Sequence, residues 1–368
     1  MMRYLKFVLP ILAVVVIDLL FQFGIWEAFA SPNSHAGMSI TKKRALRDAT
    51  YAHIDYVTLG SSRPVYGMDH EALSAAAAQS GRVQANLTVA GMHWMSLGVF
   101  THWLHDVHPE IRGGIIAFAV QDFLAPGNGS YEIGIAYPFR RTSDIGEMKQ
   151  HVPFDWHDPS TYGLYSGLFE YHEDVQDFVA APRARHALLS YFRSLTPTQV
   201  LAGNASETKD ICSAKIQSLS DCESLASRTH DAVLDTQCRL IRDTAVGRYD
   251  LRPFLADQPL TPQLQQTRDL IRTQLSSMTW AEPPIVVLMP MPALWLRDAL
   301  PEGAHDWALS ILKPLIAEGR IRVVDYTDLF NADGVTDCSA FFDLYHNNVS
   351  GRDRLMQNLL PYLQEHLY

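Results

Sequence analysis

Two short stretches carry residue types that together could catalyse acyl transfer. A glycine, Gly60, and two serines, Ser61 and Ser62, follow a mainly apolar run. Asp343 stands three residues before His346 near the carboxyl end of the chain. A hydroxyl becomes a nucleophile when an imidazole takes its proton, and a carboxylate beside that imidazole fixes its tautomer. A Gly-Ser pair alone is more often a turn, so the interpretation depends on whether the fold unites the two stretches.

The spacing of apolar runs predicts the elements that would unite them. Strands are expected at 55–59, 83–89, 113–120, 285–289 and 321–326, with helical stretches between most of them. Alternating strands and helices favour an α/β fold with a doubly wound, five-stranded parallel sheet. The ligand crevice of such a sheet lies beyond the carboxyl ends of its strands. The serine stretch follows the first strand and the Asp-His stretch follows the last, so both are expected at that edge.

Three blocks of the sequence resemble the SGNH (GDSL-type) hydrolase superfamily, which has a flavodoxin-like fold. The blocks are Gly60-Ser61-Ser62-Arg63, Asn86-Leu87-Thr88-Val89-Ala90-Gly91 and Asp343-x-x-His346. The resemblance implies that Ser62, two places after the glycine, is the nucleophile. It implies that His346 is the base, that Asp343 orients it, and that the backbone N–H groups of Ser62 and Gly91 stabilise the oxyanion.

This sequence departs from the family pattern at two positions. Ser61 stands where the family usually has an acid, and Gln121 follows the third strand where the family has an asparagine donor. Gln121 carries the same amide on a longer stem, so we expect it to complete the oxyanion hole. The alternative is a strand-end residue that satisfies backbone groups. Gln121, the Gly60-Ser61-Ser62 opening and the predicted N-terminal anchor together look more like the membrane-anchored branch of the family. That branch includes the DltD proteins of teichoic-acid D-alanylation and relatives in exopolysaccharide O-acetylation.

Three residues in or next to these blocks are weaker candidates for substrate contacts. Arg63 could hold an anionic substrate or could form contacts within the fold. His93 and Trp94 could line the pocket or could belong to the core. No metal site or cofactor is predicted. A zinc site in particular is not expected, because the four cysteines include no Cys-x-x-Cys pair.

The first 30 residues are predicted to be a signal anchor, with a cleavable signal peptide as the alternative. Arg3 and Lys6 precede a mostly apolar run that extends to Trp26 and is interrupted by Pro10 and Asp18. A run of this length is about long enough to span a bilayer, and basic residues before it favour an inside N-terminus. The body of the protein is then extracytoplasmic, on the periplasmic face. A carboxylate within the run either lies near the membrane interface or faces an integral membrane partner.

The rest of the chain is expected to form a linker at 31–50 and one SGNH-like α/β domain at 51–368. The gap between the third and fourth strands predicts a helical insertion at about 127–280, because a bare loop of that length is uncommon. The net charge of −10 argues against a general nucleic-acid binder.

Four cysteines in an exported protein predict disulfides, with free buried thiols as the alternative. Of the three pairings, Cys212–Cys222 with Cys238–Cys338 is preferred. Its second link would tie the middle of the chain to the C-terminal region.

These expectations together predict a membrane-anchored, extracytoplasmic serine O-acyltransferase or esterase. The expected substrates are acyl, acetyl-like, esters of a cell-surface polysaccharide or polymer. A multi-pass membrane O-acyltransferase, reached through the N-terminal anchor, is the expected protein partner. The alternatives are a plain carbohydrate or lipid esterase, and a non-catalytic accessory protein of a membrane O-acyltransferase.

Overall fold

The computed structural model describes residues 2–48, 51–125, 129–152, 157, 159–226, 232–246, 250–256 and 258–368. The remaining parts of the predicted anchor, linker and insertion lie outside the described residues. The strands are β1 Tyr56–Gly60, β2 Gln84–Asn86, β3 Gly113–Phe118, β4 Ile285–Leu288, β5 Arg322–Asp325, β6 Asn331–Ala332 and β7 Val335–Thr336.

The α-helices follow in chain order. They are α1 Met2–Gln22, α2 His35–Ala45, α3 Ser62–Gly67, α4 His70–Gln79, α5 Trp94–Val107, α6 Gly129–Ala136, α7 Asp144–His151, α8 Gly167–Glu170, α9 His172–Ala180, α10 Pro182–Ser194, α11 Pro197–Leu201, α12 Leu219–Ala226, α13 Ala232–Val246, α14 Arg252–Leu255, α15 Pro262–Ser277, α16 Ala304–Ala317 and α17 Val349–His366.

A five-stranded, all-parallel sheet in the order β2-β1-β3-β4-β5 is the centre of the fold. This confirms the predicted α/β class and the predicted parallel sheet, and the strand order is that of a flavodoxin-like fold. β1 pairs with β3 along its whole length, so that Gly60 lies opposite Ala117. The carboxyl ends of β1 and β3 therefore meet at one edge of the sheet.

The strands β1 to β4 are buried on both faces, and β1, β3 and β4 accordingly read as nearly continuous apolar runs, whereas the edge strand β5 is only partly buried. On one face Tyr56, Ile115 and Val287 pack in a core with Leu73 of α4 and Leu359 of α17. The alternate residues point to the other face and are equally inaccessible. These are Val57, Leu59, Ile116, Val286 and Leu288.

The described chain divides into two compact units. The sheet unit contains 53–90, 110–126 and 202–368, and the helical unit contains 1–52, 91–109 and 127–201. The predicted linker at 31–50 contains α2, of which Ala36, Ile40 and Ala45 are buried. The part of the predicted insertion after residue 201 belongs to the sheet unit.

The first helix of the helical unit, α1, contains Pro10 and ends at Gln22. Among the helices of the described residues, none combines the length and the apolar character that crossing a bilayer requires.

Asp18 of α1 is bonded inside the helical unit. Its carboxylate accepts hydrogen bonds from the Leu168 N–H at 2.9 Å, the Ser166 hydroxyl at 2.6 Å and the Gln22 amide at 2.7 Å. Ser166 is also the N-cap of α8, so Asp18 ties α1 to the start of that helix. The Asp18 carboxylate is therefore bonded within the helical unit itself.

The disulfides join Cys212 to Cys338 and Cys222 to Cys238, so the preferred pairing is wrong. Cys222 and Cys238 lie on the adjacent helices α12 and α13. Cys212 lies in a short turn whose neighbour, Ile211, donates its N–H to the carbonyl of Phe341 at 3.0 Å. Backbone pairing between distant segments therefore decides which sulfurs meet.

Candidate active site

Gly60 ends β1 in a position that only glycine can occupy. Its φ is +148°, and a Cβ atom there would lie 2.1 Å from the carbonyl oxygen of Ala117 on β3. The chain then turns into α3, whose first residue is Ser62 and whose third is Pro64. Proline is tolerated in a first turn because the N–H it lacks has no partner within the helix. Ser62 is therefore presented at the carboxyl edge of the sheet, next to β3.

The second stretch forms a closed loop before α17. Phe341 and Asn347 form an antiparallel bridge, and the N–H of Phe342 donates to the carbonyl of His346 at 3.1 Å. Asn348 caps α17 by accepting the Gly351 N–H at 2.9 Å. These bonds hold Asp343 and His346 on the same turn of the loop.

The loop brings His346 into line with both of its predicted partners. His346 Nε2 lies 2.8 Å from the Ser62 Oγ, and His346 Nδ1 lies 2.8 Å from Asp343 Oδ2. A carboxylate can only accept, so Nδ1 carries the proton and Nε2 is left to accept from the hydroxyl. This is the arrangement in which an imidazole can remove the hydroxyl proton as the oxygen attacks a carbonyl carbon.

Asp343 is held as a carboxylate by four donors. Oδ1 accepts from the Tyr345 and His346 backbone N–H groups, each at 2.7 Å. Oδ2 accepts from His346 Nδ1 and from the Gln237 side-chain amide at 2.9 Å. Burial pushes the pKa of the Asp343 carboxyl upward, but the hydrogen bonds and the charge of His346 outweigh burial and hold the pKa below its ordinary value.

Gln121 lies beyond the end of β3, in a turn at 120–123, and its amide is oriented by Arg63. Arg63 Nη2 donates to Gln121 Oε1 at 3.2 Å. A guanidinium has no acceptor, so the atom facing it must be the amide oxygen. The amide nitrogen, the donor that an oxyanion would need, is therefore the end turned away from Arg63.

Arg63 lies inside the fold, with only 3% of its surface exposed. It donates to the Tyr345 carbonyl at 2.6 Å and to the Pro290 carbonyl at 3.4 Å, and its guanidinium stacks over the Tyr345 ring. Burial lowers the pKa of Arg63, and the nearby Asp122 carboxylate opposes that shift. These contacts favour the second interpretation of Arg63, in which its role is structural. Its guanidinium connects the loops that contain Gln121, Pro290 and Tyr345.

The other sequence candidates belong to the helical unit. Gly91 has φ +85°, a conformation that other residues rarely adopt, and a Cβ there would lie 3.2 Å from the His35 ring. His93 is the N-cap of α5, and its Nδ1 lies 3.5 Å from Glu132 Oε1. Trp94 is completely buried, which fits the alternative of core packing.

Three residues that sequence reasoning missed also contact the cluster of Ser62, His346 and Asp343. Tyr66 and Phe342 place their rings 5.0 and 5.6 Å from the His346 ring. Tyr66 lies four residues after Ser62 in α3, so helical spacing was a signal that could have identified it. Gln237 lies in the predicted insertion, and no local pattern links it to Asp343.

A cleft of about 440 Å³ borders the acid side of the cluster. Its walls include Asp343, Leu344, Lys215, Thr336 and both ends of the Cys212–Cys338 disulfide. Neither Ser62 nor His346 lines it. It is therefore not the place where an acyl group would meet the Ser62 hydroxyl.

Comparison with models of known protein families finds no match for this chain, and comparison with curated proteins finds none either. Within the part of the chain that the structure describes, no group of three or more His, Cys, Asp or Glu side chains could hold a metal ion.

Proposed function

We propose that this protein is an extracytoplasmic SGNH-like serine esterase or O-acyltransferase. The observation that carries the proposal is the hydrogen-bonded series from Ser62 Oγ through His346 to Asp343, with 2.8 Å at both steps. The parallel sheet and the fully bonded Asp343 add support. The proposed relationship to the SGNH superfamily rests on the resemblance of the three sequence blocks.

The proposed reaction follows from the positions of the protons. The Ser62 oxygen attacks an ester carbonyl carbon while His346 Nε2 takes the hydroxyl proton. The tetrahedral intermediate collapses when His346 returns that proton to the departing alkoxide, which leaves an acyl group on Ser62. Water or a sugar hydroxyl, deprotonated by the same His346, then attacks the acyl carbon. The bond from that carbon to Ser62 Oγ breaks as His346 returns the proton to the serine oxygen, which releases the carboxylic acid or the acylated sugar. General base catalysis of this kind contributes roughly 10²–10⁴-fold.

The oxyanion is assigned to the backbone N–H of Ser62 and the side-chain amide of Gln121, both of which belong to the sheet unit. Support for Gln121 comes from the Arg63 contact, which fixes the amide oxygen and leaves the nitrogen as the donor. The backbone N–H of Gly91 is a further donor that the family resemblance alone implies. No cofactor is part of the proposal.

The proposed location is outside the cytoplasm, and the proposed substrates are acetyl-like esters of a cell-surface polysaccharide. Two disulfides support an oxidising compartment. Attachment to a membrane, and a multi-pass O-acyltransferase partner reached through the N-terminal segment, rest on the sequence alone. The proposal does not depend on them.

The test is turnover of a small acetyl ester and of an acetylated oligosaccharide, with and without an unacetylated acceptor. We expect Ser62→Ala to lose at least about 10³-fold in rate, as removal of a serine nucleophile does elsewhere. Ser61→Ala is the matched control and should retain activity. Acetate release that is unaffected by acceptor indicates an esterase, whereas acetyl transfer to the acceptor indicates a transferase. Equal rates for wild type and Ser62→Ala would contradict both.

A further inference from the structure

Gln237 makes two hydrogen bonds to the loop that holds the acid and the base. Its amide nitrogen donates to Asp343 Oδ2 at 2.9 Å, and its amide oxygen accepts the Leu344 N–H at 3.1 Å. The side chain is 9% exposed, so water does not compete freely for these bonds. Both ends of a single amide are thus used on one short stretch of loop.

The segment that carries Gln237 is fastened to the same loop at other points. Cys212 is covalently joined to Cys338, five residues before Asp343. On the far side of the loop, the Asn348 side chain donates to the Lys209 carbonyl at 2.9 Å, and the Val349 N–H donates to the Glu207 carbonyl. The loop is therefore held before, at and after Asp343 by residues from 207 to 238.

A second disulfide fixes the helix that presents Gln237. Cys238, the next residue in α13, is joined to Cys222 of α12. Rotation of α13 about its own axis would turn Gln237 away from Asp343, and this cross-link opposes such a rotation. A side chain placed in this way can set the position of a charged group without touching a substrate.

We propose that Gln237 is a positioning residue that holds Asp343 against His346, and that the cross-linked segment of the insertion serves as its brace; the inference rests on the proposed acyl-transfer function. The amide keeps Oδ2 directed at His346 Nδ1, while the Leu344 contact fixes the loop backbone. The inserted segment therefore has a role in the reaction centre.

The test is the second-order rate of Ser62 labelling by a fluorophosphonate in Gln237→Leu, with Arg239→Gln as the control. Arg239 lies on the same helix and is exposed, and it pairs with Asp235 and Thr236 of that helix. We expect Gln237→Leu to slow labelling by about 10–100-fold, the loss associated with one hydrogen bond to a charged group. The control should label at the wild-type rate. The Cys222→Ala/Cys238→Ala double variant should slow labelling in the same direction.

A double-mutant cycle with Asp343→Ala separates positioning from general support of the fold. If Gln237 acts through Asp343, adding Gln237→Leu to Asp343→Ala should slow labelling by less than about threefold. The same slowing factor with and without Asp343 overturns the proposal, and so does wild-type labelling by Gln237→Leu. Thermal unfolding of each variant shows whether it is folded.

A measurement that does not depend on catalysis separates the test of this inference from the test of the proposed function. If the wild type never reacts with the probe, the acyl-transfer proposal fails. The downfield proton resonance of the His346 Nδ1–H group then still reports on the bond to Asp343. We expect Gln237→Leu to shift or broaden that resonance and Arg239→Gln to leave it in place. An unchanged resonance in Gln237→Leu contradicts the positioning role.

Discussion

Gly60→Ala is the substitution for which the structure predicts a loss of stability most directly. A Cβ at residue 60 would lie 2.1 Å from the Ala117 carbonyl oxygen and 2.9 Å from Pro64 Cγ. An ordinary contact needs about 3.4 Å or more, so β1 and β3 would have to separate by more than an ångström. Those strands share the register that holds Ser62 beside the end of β3.

The magnitude follows from two separate costs. A non-glycine residue at φ +148° costs about 1–3 kcal/mol in backbone strain. The overlap with Ala117 costs about another 1–3 kcal/mol, as overpacking does in cores. Their sum of about 2–6 kcal/mol is a large fraction of a typical unfolding free energy of about 5–15 kcal/mol.

Gly81→Ala is the matched control, because Gly81 also has positive φ, at +69°, but has open space where a Cβ would lie. It should cost only the left-handed conformation, about 1–2 kcal/mol. The assay is denaturant unfolding followed by circular dichroism, combined with the rate of fluorophosphonate labelling. We expect Gly60→Ala to unfold at a clearly lower midpoint than Gly81→Ala and to label more slowly while still folded. A midpoint for Gly60→Ala at or above that of Gly81→Ala would refute the account of this turn.

Three further outcomes are expected. Gln121→Leu should slow acylation by about 10²–10³-fold, as loss of one oxyanion donor does, and an unchanged rate removes Gln121 from the site. It should also lower the free energy of unfolding by about 1–3 kcal/mol, because the buried Arg63 guanidinium loses the acceptor that Gln121 provides. Burial raises the pKa of Glu170 to about 8 from an ordinary value of 4.5, so the folded state binds the extra proton between those values. The stability that Glu170 contributes is therefore fully present below about pH 4.5 and is lost as the pH rises through about 8, and melting curves across this range should show a fall that Glu170→Gln lacks. Asn348→Ala should lower the free energy of unfolding by about 1–2 kcal/mol, as loss of an N-cap does, whereas equal unfolding of Asn348→Ala and Ser350→Ala would contradict the cap.

The sheet could be predicted from the sequence because its signal is local. Buried parallel strands are short apolar runs, and the five expected ones coincide with β1 to β5 to within a few residues. The residues that meet at the carboxyl edge follow from that topology alone. The serine stretch and the Asp343-x-x-His346 stretch could therefore be expected at one edge, whereas the choice of Ser62 over Ser61 came from the family resemblance.

Features that depend on distant segments could not be predicted in the same way. The disulfide pairing depends on which turns lie side by side, and the bond between Ile211 and Phe341 has no local signature. Gln237 resembles any other polar residue of an amphipathic helix until α13 meets the loop.

Two local predictions, the N-cap of α17 and the extent of one helix, were wrong because tertiary contacts favour a different arrangement. The spacing of Ser350 and Asp353 predicts a capping box, but Asn348 caps α17. Its side chain also donates to two backbone carbonyls, those of Lys209 and Ser339, so the tertiary contacts favour the earlier position. The sequence also predicts one helix over 206–244, but the structure interrupts it. Glu207 and Ile211 instead form backbone hydrogen bonds to Val349 and Phe341, at the end and the start of the loop before α17.

The central claim is that Ser62 is the nucleophile, and the site of covalent labelling tests it most directly. The full chain is treated with a fluorophosphonate, digested, and analysed by mass spectrometry. We predict one phosphonyl group on the peptide that contains Ser62, with labelling retained in Ser61→Ala and lost in Ser62→Ala, His346→Ala serving as a variant that labels far more slowly. Folded wild type that takes up no label, or label that persists in Ser62→Ala, would contradict the claim.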